Sequence, residues 1–236
     1  MDLRLLVIAV TPAIALGLAA YFTDRFDKEP ALLLLKIFLF GALSVLPAII
    51  VERILMYFNF FGGLLASAFT AFIVAGLTEE FFKRAVVLRI VYKNNAFNEK
   101  LDGIIYAVFA ALGFATIENV MYVLGGFSAN HYVGISRGIF SVPTHALLAI
   151  TMGYYLSLAK FSYNKNLEHA YLRKALIIPA ILHGFFDFIL MANIPLLLTF
   201  FIPYVLYLWI ANLKKLNQYY KDSKERCNIS EPQNSQ

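Results

Sequence analysis

Cysteine is nearly absent from this 236-residue chain: Cys227 stands alone in the polar C-terminal stretch. One thiol makes no intrachain disulfide, and no Cys-x-x-Cys pair exists to seat a metal. Charge is also scarce. Only 15% of residues are Asp, Glu, Lys or Arg, where a soluble domain carries roughly 25%, while 60% are hydrophobic. Strict alternation of apolar and polar residues is missing, which excludes a transmembrane β-barrel. No Ser or Cys nucleophile motif and no His-Glu-x-x-His occurs. The net charge of +5 does not argue for nucleic acid, because in an apolar chain the positions of basic residues matter more than their sum.

What the chain has instead is apolar runs near the roughly 20 residues needed to cross a bilayer. The expected fold is all-α: a polytopic bundle of about seven membrane-spanning helices around a polar intramembrane site. The spans expected are Leu3 to Phe22, Ala31 to about Tyr57 with a soft break at Pro47, Leu64 to about Tyr92, Gly103 to Leu124, Gly138 to Ala159, Ala175 to Ala192 and Leu196 to Leu213. The first is long for a signal peptide and lacks an obvious cleavage site, so it is expected to be a retained helix. A loop is expected from Gly125 to Arg137. Residues 1–213 then form one domain and 214–236 a polar cytoplasmic tail, disordered over Asn228 to Gln236. Basic residues gather in the tail and in the links containing Arg25, Lys93 and Lys160, whereas only Arg4, Arg53 and Arg137 fall on the other side. The positive-inside rule therefore puts the N-terminus outside and the C-terminus in the cytoplasm.

Charges inside apolar runs mark function, since each costs about 2.5–3.5 kcal/mol at the centre of a membrane helix. Glu79, Glu80, Lys83 and Arg84 lie within six positions of the third run. Glu79 with Lys83 and Glu80 with Arg84 are i, i+4 pairs, and Glu80 with Lys83 is an i, i+3 pair; such pairs can meet on one face. Glu118, followed by Asn119, interrupts the fourth run, with Asp102 and Tyr106 further back. His145 sits about two turns into the fifth, and His183 precedes Asp187 by four residues in the sixth. An Asp at that spacing can fix the imidazole's tautomer and orientation. These groups make a hydrolytic set: a water-activating base, a proton donor and a polariser of the carbonyl oxygen. Glu79 and Glu80 are the expected water-activating carboxylates, with Glu80 favoured if Lys83 holds Glu79. His145 and His183 polarise the carbonyl, Asp187 orients His183, and Glu118 completes the cavity. Lys83, Arg84, Asn119 and Asp102 support them, and no metal or other cofactor is expected. Two alternatives use the same residues: a proton- or cation-coupled transporter, which the missing inverted repeat disfavours, and a zinc-dependent intramembrane protease.

Glu79-Glu80-x-x-Lys83, Asp102-Gly103-x-x-Tyr106, Phe114-x-x-x-Glu118, Pro143-Thr144-His145 and His183-x-x-x-Asp187 together resemble the PrsW family of membrane-embedded proteases. That family is related to the CAAX prenyl endopeptidases, which are glutamate-dependent. Their Phe-x-x-x-His and His-x-x-x-Asn are here replaced at Glu118 and Asp187, which counts against a prenyl-protein substrate. The resemblance implies regulated proteolysis in the cell membrane: site-1 cleavage of a single-pass anti-sigma factor on its extracytoplasmic side, with the lipid bilayer as surroundings and no nucleic-acid partner.

Overall fold

The computed structural model describes residues 3–124 and 135–230. Seven helices in it are long and apolar enough to cross a membrane: Arg4–Thr23, Ala31–Met56, Gly63–Ile90, Lys100–Val123, Arg137–Lys160, Lys165–Met191 and Pro195–Ile229. No strand occurs among the described residues. The protein is a multi-pass membrane protein with an all-α bundle, as its composition implies. Position 130, in the loop expected after Gly125, lies outside the described residues.

Local chemistry sets the breaks. Pro30 precedes the second span with extended backbone (ψ 120°), since its φ is fixed and it offers no N–H. Within that span the helix interrupts at Ser44, three residues before Pro47, and the Ser44 hydroxyl donates to Gly41 O at 2.7 Å. The third span is not uniform: Thr70–Leu77 is π-helical between α segments Gly63–Phe69 and Thr78–Ile90. Wide turns of this kind concentrate at functional sites. A second π segment, Arg137–Ser141, opens the fifth span.

The fourth and fifth spans are buried along most of their length, whereas the first and seventh face outward. Small residues permit this. A Cβ on Gly153 would stand 2.3 Å from Gly103 O, and one on Gly113 would stand 2.0 Å from Phe38 O. Backbones approach this closely in membranes because packing, not water exclusion, holds the helices together. Leu32, Leu35, Leu39 and Leu46 on the second span, and Ile202, Leu206 and Ile210 on the seventh, remain exposed, as a lipid-facing surface requires.

Several polar stretches are helical where links were expected. The sixth span starts at Lys165, its first turn capped by the Asn164 side chain accepting from Asn166 N at 2.8 Å. The last helix runs Phe201–Ser230, so Lys214 lies inside it, and Asn228 to Ser230 are helical rather than disordered. Residues 231–236, where the rest of the expected disorder falls, lie outside the described residues. Side-chain contacts hold that helix down. Tyr219 stacks on Tyr154 at 5.0 Å, Asp222 pairs with Lys100 at 3.7 Å, and Arg226 pairs with Glu99 at 3.7 Å.

Asp102 caps the fourth span: its Oδ2 accepts from Asn98 N at 2.8 Å and Glu99 N at 2.7 Å. A carboxylate in the first helical turn that reaches back in this way satisfies orphan N–H groups. Nearby, Tyr106 donates to Glu29, and Asp24 Oδ2 accepts from Glu29 N at 2.8 Å. These carboxylates are buried. Burial pushes Glu29 up to about 7 from 4.5, and raises Asp24 and Glu99 in the same sense. The folded state therefore holds a proton on Glu29 that the unfolded chain has released, so stability falls as pH rises through that interval. Thermal unfolding in detergent should give a midpoint that declines between pH 4.5 and 7, and Glu29→Gln should flatten that decline. A midpoint that rose over the interval, or a Gln variant with the wild-type slope, would contradict this assignment.

Candidate active site

Glu79 and Glu80 occupy the first turn of the Thr78–Ile90 helix, directly after the π segment. Lys83, one turn on, is 1% exposed and uses all three N–H directions of its ammonium. Its Nζ lies 3.1 Å from Glu79 Oε2, 2.8 Å from Glu80 Oε1 and 2.8 Å from His145 Nδ1. The Phe114 ring covers the same ammonium at 4.5 Å, a cation–π contact that strengthens when desolvated. The expected Glu80–Arg84 pair does not form. The residue at three positions' spacing, Lys83, takes Glu80 instead, and among the described residues Arg84 Nε has no hydrogen-bond partner.

The Lys83 contact settles the tautomer of His145. An ammonium has no acceptor, so Nδ1 presents its lone pair and Nε2 carries the proton. That proton goes to Glu118 Oε2 at 2.9 Å. Glu118 Oε1 is held by Arg137 at 2.8 Å. Arg137 in turn donates from Nε to Asn119 Oδ1 at 3.2 Å and lies over the Tyr122 ring at 3.8 Å. Asn119 Nδ2 donates to Ala9 O at 2.8 Å, which ties the first span to the assembly.

His183 completes the cluster from the sixth span. Its Nδ1 is 3.0 Å from Glu80 Oε1, and its Nε2 is 3.4 Å from Asp187 Oδ2 and 3.9 Å from Glu79 Oε2. The two imidazole rings stand 5.2 Å apart, nearly perpendicular. Glu79, Glu80, Glu118, His145, His183 and Asp187 thus converge from four spans, with Lys83 and Asn119 among them. Asp102 does not. It lies sixteen residues before Glu118, about 24 Å along the helix, and serves as the cap described above.

A cavity of about 1530 Å³ opens beside the cluster, at the end of the bundle where the second, fourth and sixth spans finish. Glu79, Glu118, His145, His183 and Asp187 line it; Glu80 and Lys83 do not. Of the two adjacent carboxylates, Glu79 faces the space and Glu80 is turned into the protein. Ligand atoms of Glu79, His145 and His183 also lie within 4.8 Å of one another, close enough to hold a metal ion. Three charged residues that line the cavity, Glu52, Arg53 and Arg137, lie outside the sequence expectation for the site. Arg53 and Arg137 enter the sequence reading only through the charge balance and the expected loop, and Glu52 does not enter it. The signal for Glu52 was the one used for Glu118, a carboxylate in an apolar helix.

Lys83 neutralises two buried carboxylates, so removing it leaves charge without compensation, which costs roughly 3–5 kcal/mol. Lys83→Met should sharply lower accumulation in the membrane and the unfolding midpoint. Adding Glu80→Gln to that variant should recover part of the loss, because one of the stranded charges is gone. A Lys83→Met protein as stable as the wild type would show that this ammonium does not hold the cluster.

The chain is similar to known proteins along most of its length. The family profile described as "PrsW family intramembrane metalloprotease" matches residues 29–211. Protease PrsW of Clostridioides difficile (strain 630) is 44% identical over 229 residues, 95% of each chain. Protease PrsW of Bacillus subtilis (strain 168) is 35% identical, covering 87% of this chain and 91% of its own. That of Geobacillus kaustophilus (strain HTA426) is 37% identical, covering 89% of each. No solved structure gives a significant match. The relatives are proteases, and the profile spans all the residues gathered around Lys83: this chain belongs to the PrsW family of intramembrane proteases.

Proposed function

We propose that the protein hydrolyses a peptide bond of a single-pass membrane protein with water activated by Glu79. The observation that carries this reading is the division between the adjacent carboxylates: Glu79 lines the cavity, while Glu80 is spent on Lys83 and His183. Glu79 replaces Glu80 as the favoured base. Its Oε2 and His183 Nε2 are 3.9 Å apart, so water held by the first lies within reach of a carbonyl whose oxygen accepts from the second. The water oxygen bonds to the carbonyl carbon as Glu79 takes its proton. The resulting oxyanion is stabilised by the His183 N–H, which Glu80 orients from the far ring nitrogen and Asp187 balances. Glu79 then delivers its proton to the amide nitrogen, the C–N bond breaks to give a carboxylic acid and an amine, and the acid's proton passes to the amine, so that a carboxylate and an ammonium leave.

A second reading has one specific observation in its favour, the convergence of Glu79, His145 and His183, together with the word metalloprotease in the family description. A two-His, one-Glu set is a zinc set in type and spacing, and Glu80 on His183 Nδ1 is the usual outer support of such a ligand. Bound there, zinc would acidify water and polarise the carbonyl. Lys83 competes with it for both Glu79 and His145, which is why the metal-free reading is preferred. Purified enzyme and a reconstituted membrane substrate separate the two. Glu79→Gln should cost roughly 10²–10⁴ in kcat, and chelation should leave wild-type turnover intact. Normal cleavage by Glu79→Gln would end the glutamate mechanism. Activity lost to chelator and restored by stoichiometric zinc would establish the second reading.

The family resemblance suggests a membrane-spanning anti-sigma factor as substrate, cut on its extracytoplasmic side. The charge pattern supports an outward-facing cavity. Lys93, Lys160 and Lys214 lie at the bundle end away from it, which makes that end cytoplasmic and the N-terminus external. In intact cells an impermeant thiol reagent should label Phe60→Cys in a Cys227→Ser background and spare Cys227 in the wild type. The reverse pattern would invert the orientation.

A further inference from the structure

We propose that Glu52 selects a lysine or arginine side chain of the substrate within the cavity, an inference that rests on the peptidase reading above. The carboxylates that line the cavity differ in whether they have a partner. Glu79 has Lys83 at 3.1 Å, Glu118 has Arg137 at 2.8 Å and His145 at 2.9 Å, and Asp187 has His183 at 3.4 Å. Glu52 lines the same cavity, and among the described residues it has no hydrogen bond and no ion pair. Its neighbour Arg53 also borders the space but forms no ion pair with it, and the side chain of Arg53 is exposed.

The surroundings of Glu52 make an unpaired carboxylate costly. The cavity it borders is lined largely by apolar side chains, Ile49, Met56, Phe186, Leu190 and Met191 among them, and an acidic group facing such a wall loses hydration without recovering it. Glu52 stands one helical turn from the end of its helix at Met56, still within the apolar span. An ionisable residue inside a membrane span is a functional-site candidate whose partner is to be named, and Glu52 has none among the described residues. The missing partner arrives with the substrate. A cationic side chain fits by charge, and its aliphatic stem fits the apolar wall. A substrate segment drawn into the cavity would then be fixed at two places, its scissile carbonyl at His183 and its basic side chain at Glu52. Glu52 is thus a specificity residue, separate from the groups that move the proton.

The test uses single-pass model peptides reconstituted with the full-length enzyme, identical except for Lys, Leu or Glu at scanned positions around the cut. Wild-type enzyme should favour Lys over Leu at one position by about tenfold or more in kcat/KM, the scale of one charged hydrogen bond in a water-poor site. Glu52→Gln should collapse that ratio towards one, Glu52→Lys should invert it in favour of Glu, and Glu52→Asp should retain it. Because each ratio is measured within one protein, the folded fraction cancels. Equal cleavage of the Lys and Leu peptides by the wild type, or an undiminished preference in Glu52→Gln, would overturn the inference and leave the peptidase reading standing. Failure of the wild type to cut any peptide would overturn both.

Discussion

An ammonium that satisfies two carboxylates and an imidazole, deep in an apolar bundle, is the interaction on which the other features depend. Each charge alone would cost several kcal/mol to desolvate. Lys83 lowers that cost by offering three N–H donors to Glu79, Glu80 and His145 at 2.8–3.1 Å. Its position one turn after the carboxylates keeps two of these bonds inside one helix, so they survive any adjustment of the bundle. The third bond reaches the fifth span and fixes which nitrogen of His145 carries the proton. That choice propagates outward through Glu118 to Arg137 and Asn119, and finally to the backbone of the first span at Ala9.

The two ends of the bundle solve different problems. Around Gly103 and Gly153 the backbones touch, and the carboxylates there are enclosed. Around Glu79 and Asp187 the spans diverge and leave a large cavity. Hydrolysis requires water, and water is what the glycine-packed end excludes. The bundle thus closes on small residues at one end and opens beside the Lys83 cluster at the other.

The positions of the site residues were legible in the sequence because a charge inside an apolar run is improbable without a purpose. Glu79, Glu80, Glu118, His145, His183 and Asp187 all carried that signal, and the structure draws them together. Which group contacts which was less legible. Helical spacing permits both Glu80–Arg84 and Glu80–Lys83, and only the position of His145 on another helix decides for Lys83. Likewise Glu79 and Glu80 are adjacent and chemically alike, and the direction each faces is a property of the whole bundle. Asp102 looked like a site residue because it precedes a motif, yet a helix start needs a capping carboxylate for its own reasons. The extension of the last helix beyond Leu213 escaped notice because polar residues such as Lys214, Asn217, Gln218 and Lys221 lie on its exposed face, while Tyr219 supplies the buried contact.

The π segment Thr70–Leu77 has a further consequence. In an α-helix each residue advances the side chains by about 100°, so the wide turns put the outer part of the third span out of phase with Glu79 and Glu80. The azimuth of those carboxylates is accordingly metered by residue count across eight positions more than by the identity of any one of them. Some identities in the segment are fixed by contact, as at Gly76, where a Cβ would stand 2.7 Å from Ala180 O; the length of the segment acts on top of these. One residue fewer would rotate Glu79 and Glu80 by about 100° relative to the outer part of the span, so the length of this stretch helps set which way the two carboxylates face.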